Sequence, residues 1–107
     1  MIVFLDGIVA DIGEKHAVIT VAGIGYRAYM TQSALQKLPE RGSKVKIWTP
    51  QYVREDAVEL YGFLARAERE LFETLIGVSG IGPKGALGIL AIDSVDMLKK
   101  AIAAGDV

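Results

Sequence analysis

In the first sixty residues, apolar and polar positions alternate in short runs that glycine interrupts. Met1 to Asp11 mixes β-branched and apolar residues around Gly7, and Gly13-Glu14-Lys15 marks a turn. Ala17-Val18-Ile19-Thr20-Val21 reads as a compact strand, Gly23-Ile24-Gly25 as its break, and Tyr26 to Met30 as the next strand. Thr31 can cap a short helical turn through Leu38, which Pro39-Glu40-Arg41-Gly42 ends. Lys44 to Thr49 alternates again, with Val45 and Ile47 on one face, and Pro50 closes it. A hairpin with Arg54-Glu55-Asp56 at its turn then returns through Ala57 to Phe63, Val58 and Leu60 facing one way and Tyr61 and Phe63 the other. Five strands with a small helix between the third and fourth predict a β barrel of the OB-fold type.

After Leu64 the period changes from two to 3.6. Leu64, Ala67, Leu71, Phe72, Leu75 and Ile76 form an apolar stripe opposite Arg66, Glu68, Arg69, Glu70 and Glu73, a surface helix of about three turns. A second helix presents Ala86, Leu87, Ile89 and Leu90. A third, capped by Asp93 or Ser94, runs through Met97, Leu98, Ala101 and Ile102 and stops at Gly105. Seven of the eight aromatic residues precede Leu64, which supports two folding units: a barrel over residues 1–63 and a small helical domain over 64–107.

Composition narrows the function classes. At 107 residues and 51% hydrophobic, the chain can build a core. It has no cysteine, which excludes disulfides and thiolate metal sites and reads most simply as cytoplasmic. The apolar Met1 to Leu5 is cut short by Asp6 and Gly7 and lacks a basic lead, so neither a signal peptide nor a membrane partner is expected. The formal net charge is −1, with a pI near 5.8. Residues 1–63 carry seven Lys/Arg against seven Asp/Glu, and residues 64–107 five against six. Neither part has a basic footprint, so nucleic-acid binding would rest on placed backbone donors and a few cations.

The stretch best suited to such placement is Gly77-Val78-Ser79-Gly80-Ile81-Gly82-Pro83-Lys84, between the first two helices of the second unit. Gly80 and Gly82 permit a tight turn around the apolar Ile81, and Pro83 suits the first helical position, where no N–H is needed. The helix start is then an anion site of unsatisfied donors and positive dipole, with Lys84 adding a full charge. Gly80 to Gly85 also satisfies G-x-G-x-x-G. That dinucleotide fingerprint requires a preceding strand and a later acidic residue ending a second strand, whereas here helices lie on both sides. No Gly-Lys-Ser/Thr triplet supports a P-loop. Spacing alone leaves a glycine turn without ligand beside a phosphate site, and Lys84 favours the phosphate.

Other candidates are weaker. Glu55-Asp56 can be a solvated turn, an acid/base or metal pair with no third ligand spaced to complete it, or a repulsive element facing phosphates. His16 sits in a turn without a catalytic or metal partner. Trp48 and Tyr52 can serve as a base-stacking platform or, more simply, in packing or subunit contact. No cofactor and no catalytic residue is expected.

Taken in order, Gly7, Gly23-Ile24-Gly25-Tyr26, Leu38-Pro39, Val53-Arg54-Glu55-Asp56, Leu60-Tyr61-Gly62-Phe63, Glu68-Arg69, Leu71-Phe72 and Gly80-Ile81-Gly82-Pro83-Lys84 resemble the RuvA family along the whole chain. RuvA proteins are the Holliday-junction-binding subunits of bacterial branch-migration complexes. The resemblance implies a homotetramer whose OB-fold barrels gather at the centre of a four-way DNA junction and hold it open and flat, in recombination and repair. It implies that a helix-hairpin-helix grips each duplex arm by its backbone, carrying over to Ser79, Gly80, Gly82, Lys84 and Gly85, and that Glu55 and Asp56 form an acidic pin. Arg54 offsets the pin or touches DNA. Implied partners are a RuvB-type hexameric ATPase and a RuvC-type resolvase. Family chains continue with a second helix-hairpin-helix and a motor-binding domain; Gly105-Asp106-Val107 stands where that second hairpin would begin, so a fragment is the expectation. The runner-up is a single-strand-binding or repair module of a larger enzyme; a dinucleotide enzyme comes third.

Overall fold

Nine residues, Phe4–Ile12, form β1, the strand from which the sheet is built. The structure is a computed structural model that describes residues 2–50, 59–78, 81–92, 97, 98 and 100. β2 (His16–Val21), β3 (Ile24–Tyr29), β4 (Lys44–Trp48) and the short β5 (Leu60–Tyr61) complete a five-stranded mixed sheet in the order β4-β1-β2-β3-β5. Neighbours are antiparallel, with Val9 opposite Ile19, Leu5 opposite Ile47 and Ile19 opposite Tyr26, except that β3 and β5 run parallel, Ala28 beside Leu60. The β1–β2 register slips between Val9 and Asp11, the one irregularity of that pair.

The sheet curls until its outer members meet. Trp48 N–H donates to the Phe63 carbonyl at 2.7 Å and Phe63 N–H to that of Trp48 at 2.8 Å, so β4 is bridged to the chain just past β5. This curled sheet is compatible with the expected OB-fold. Gly7 leaves no room for a side chain against β2: a Cβ there would lie 2.3 Å from the Thr20 carbonyl oxygen.

Alternation places Leu5, Val9, Ala17, Ile19, Ala28 and Ile47 inside the curl. Helix α1 (Gln32–Lys37) closes one end with Ala34 and Leu35, its start capped by Thr31 Oγ1, which accepts from Ala34 N–H at 3.2 Å. The Thr31 cap, the stop at Leu38 and the shared face of Val45 and Ile47 agree with the sequence reading. The break at Gly23-Ile24-Gly25 is corrected. The turn is Ala22-Gly23, both with positive φ (51° and 83°), as a tight primed hairpin requires, and β3 already begins at Ile24. His16 is likewise the first residue of β2, its ring edge-on to Tyr29, and not a turn residue.

A second cluster holds α2 (Arg66–Ile76) and α3 (Pro83–Leu90) together and joins them to the sheet. Tyr61 and Phe63 supply the sheet's side, Leu71, Phe72 and Leu75 that of α2, and Ala86 and Leu90 that of α3. Phe72 is fully buried, its ring centroid 5.3 Å from Tyr61 and 5.1 Å from Phe63. Ala67, expected in the apolar stripe, is exposed. The first turn of α2 meets the sheet through cations instead: the Arg66 and Arg69 guanidinium carbons lie 5.9 and 5.4 Å from the centre of the Trp48 ring. Of the third expected helix, Met97, Leu98 and Lys100 are helical, and its expected caps and stop lie outside the described residues.

Candidate nucleic-acid interface

Helix α3 starts as its sequence dictates. Gly82 is extended (φ −94°, ψ 178°) at the N-cap, Pro83 occupies the first turn, and no side chain caps the end. Ala86 N–H reaches back to the Gly82 carbonyl at 2.9 Å. The amides of Lys84 and Gly85, the first after a proline that has none, therefore have no partner within the helix. Lys84 and Gly85 are exposed, whereas Pro83 and Ala86 are buried. Ile81 is half-buried against the helical cluster and donates to the Val78 carbonyl at 3.2 Å, which fixes the approach of the chain to the helix.

Gly82 lies outside the left-handed region, and a Cβ there would meet nothing within 4 Å. Neither its backbone conformation nor the packing of the chain calls for glycine. What its missing side chain provides is unobstructed access to the helix end. The arrangement can receive an oxyanion on backbone N–H groups, with the Lys84 ammonium beside it.

Of the residues expected to contact phosphate, Gly82, Lys84 and Gly85 thus share one exposed helix start; Ser79 and Gly80 lie outside the described residues, as do Arg54, Glu55 and Asp56 of the expected pin and Tyr52. The described flanks of the pin segment are Pro50, which is buried, and Glu59, whose carboxylate accepts from the Tyr61 hydroxyl at 2.5 Å.

Trp48 is enclosed by its own chain. Phe4 packs edge-on at 5.6 Å, and Lys46 Nζ sits 4.6 Å from its ring centre, in addition to the Arg66 and Arg69 guanidinium groups. This is the packing reading of Trp48, and it ties β4 to α2. Periodicity could not reveal it, because Arg66 and Arg69 come from the face of α2 that the 3.6-residue pattern assigns to solvent.

Among the described residues, no group of three His, Asp or Glu side chains is placed to hold a metal ion, and no helix is long and apolar enough to cross a membrane.

Comparison with known proteins places these features in context. A family model described as the RuvA N terminal domain matches residues 1–62. Among curated proteins, the Holliday junction branch migration complex subunit RuvA of Caldanaerobacter subterraneus is 43% identical over 106 residues, 99% of this chain and 57% of the relative. The proteins of the same name from Chloroflexus aurantiacus and Mycolicibacterium smegmatis are 45% and 48% identical over 107 residues, 100% of this chain and 55% and 54% of theirs. The chain spans about half the length of these relatives.

Proposed function

The chain belongs to the RuvA family, and from that premise we propose that it is the junction-gripping part of a non-catalytic branch-migration subunit. It binds four-way DNA junctions by shape and backbone, without reading bases, and holds them open and flat for a RuvB-type hexameric ATPase. A homotetramer sets four such grips around one crossover, and a RuvC-type resolvase acts on the same complex. The cytoplasm is its place of action.

One observation carries this reading: the uncapped start of α3, where Gly82 leaves the helix end open and Lys84 stands beside it. Such an end holds a phosphate with backbone donors that any sequence can satisfy, which suits a partner defined by shape. Ser79, Gly80, Gly82, Lys84 and Gly85 form the grip, as the hairpin of a helix-hairpin-helix whose two helices are α2 and α3. The barrel of residues 1–63 gathers at the junction centre and residues 64–107 reach outward along the arms. Glu55 and Asp56 face the crossover as an acidic pin with Arg54 beside them. Two like charges about 4 Å apart repel by roughly 1 to 4 kcal/mol from water to surface-like dielectric, enough to keep strands apart at a crossover without preventing binding.

A gel-shift comparison of a four-way junction with a linear duplex of the same arm sequence tests the proposal. Tighter binding of the junction is expected; equal affinity for the two would overturn it.

A further inference from the structure

Helix α3 has two working faces. Pro83, Ala86 and Leu90 pack inward, while Lys84, Leu87, Gly88 and Ala91, spaced as one helical stripe, line a cavity of about 420 Å³ between the helix and the sheet. A part of the chain distant in sequence, the β1–β2 turn, also lines it, through Lys15. Tyr29 and Tyr61 from the sheet, and Glu59, line the same cavity.

The turn that carries Lys15 is fixed by hydrogen bonds at three points. Gly13 N–H donates to the His16 carbonyl at 2.7 Å, Met30 N–H to that of Lys15 at 3.1 Å, and the Gln32 side-chain amide to that of Glu14. The Lys15 backbone is thus held while its side chain is exposed. Among the described residues, neither Lys15 nor Lys84 pairs with a carboxylate, although exposed Arg41 does so with Asp11 at 3.4 Å and Arg66 with Glu70 at 3.2 Å. Among the described residues, the one carboxylate that lines the cavity, Glu59, is engaged by the Tyr61 hydroxyl. Two unpaired ammonium groups therefore border one cleft, and one of them stands at the open helix end.

We propose that Lys15 is a second phosphate-contacting cation, gripping across this cleft the same nucleic-acid backbone that Lys84 holds at the start of α3. The inference rests on the reading of α3 as a backbone grip and adds to it a contact from the barrel. One duplex arm is then bridged between the β1–β2 turn and the helix, so the orientation of the arm is set by the sheet as well as by the hairpin.

The test is a salt titration of four-way-junction binding by the wild-type chain and by Lys15→Ala, Lys15→Arg, Lys84→Ala and Lys37→Ala, with thermal unfolding confirming that each variant is folded. Each phosphate contact contributes about 0.9 to the slope of log affinity against log salt. Lys15→Ala is expected to bind several-fold more weakly at low salt with a shallower slope, its deficit shrinking about threefold per contact between about 50 and 200 mM salt. Lys15→Arg should restore the slope, and Lys37→Ala, on the exposed side of α1, should keep it. An unchanged slope for Lys15→Ala beside a shallower one for Lys84→Ala would overturn the inference and leave the grip at α3 standing. A Lys37→Ala loss equal to that of Lys15→Ala would also overturn it, as a general charge effect. Absence of junction binding by the wild type would overturn both readings.

Discussion

Replacing Phe72 with alanine is the sharpest test of how the helices are joined to the sheet. The side chain is fully buried, with Tyr61 and Phe63 rings within 5.3 Å of its centre. Burying a phenylalanine contributes about 1.5–3 kcal/mol. Each aromatic contact adds about 0.5–1.5 kcal/mol, and the cavity left behind raises the cost of truncation, so Phe72→Ala should lose about 4–5 kcal/mol, near the top of the range for such changes. Phe72→Leu retains most of the buried volume and forfeits mainly the ring contacts, so about 1–2 kcal/mol is expected. Against a total stability of roughly 5–15 kcal/mol, the alanine variant would lose from about a third of its stability to nearly all of it. Urea denaturation followed by fluorescence of Trp48, the only tryptophan, and by far-ultraviolet circular dichroism measures both. Trp48 belongs to β4 and touches α2, so the two probes should report one transition, shifted in both signals. A loss below about 1 kcal/mol for Phe72→Ala, or equal losses for alanine and leucine, would refute the assignment of the joint to this ring.

Gly7→Ala should destabilise by at least about 2 kcal/mol in the same assay, because the 2.3 Å approach is to the backbone oxygen of Thr20, which cannot swing aside as a side chain would. Ala22→Asn should stabilise by about 0.5–1 kcal/mol by seating a residue that tolerates the left-handed φ of 51° next to Gly23, and a thermal melt that falls instead would count against the turn described. Lys84→Ala should weaken junction binding with a shallower salt slope, and a parallel, undiminished slope would remove Lys84 from the phosphate contacts. Joint replacement Glu55→Gln and Asp56→Asn should keep or tighten junction binding while altering how the junction is processed; loss of binding in a gel shift would count against the pin.

What sequence could and could not announce follows from the range of each interaction. β4 was legible because Val45 and Ile47 alternate with Lys44 and Lys46, and β1 and β2 because their β-branched and apolar runs are bounded by glycine turns, and both signals are local. The start of α3 was legible for the same reason: Pro83 and Gly82 carry their backbone preferences with them. The β2–β3 turn was misplaced because alanine is no turn signal, and only the twist of the paired strands drives Ala22 to positive φ. The pairing of β5 with β3 is parallel and distant, and nothing in Leu60 or Tyr61 encodes a partner thirty residues earlier. The exposure of Ala67 and the half-burial of Arg69 invert their hydropathies, because the surface that α2 meets there is the Trp48 ring and not an aliphatic one. Lys15 gave no signal in its own neighbourhood; only the fold brings it to the same cleft as Lys84.

The composition of α3 has a thermal consequence. Two of its eight residues, Gly85 and Gly88, are glycines, each costing about 1 kcal/mol of helix propensity relative to alanine. A helix this short and this poor in intrinsic preference persists because α2 and the sheet hold Ala86 and Leu90. The segment is therefore the natural place for opening to begin on warming, and its amides should exchange with solvent well before those of β1 and β2. Anion capture at its start would close that opening, so the grip and the order of the helix should rise and fall together with temperature.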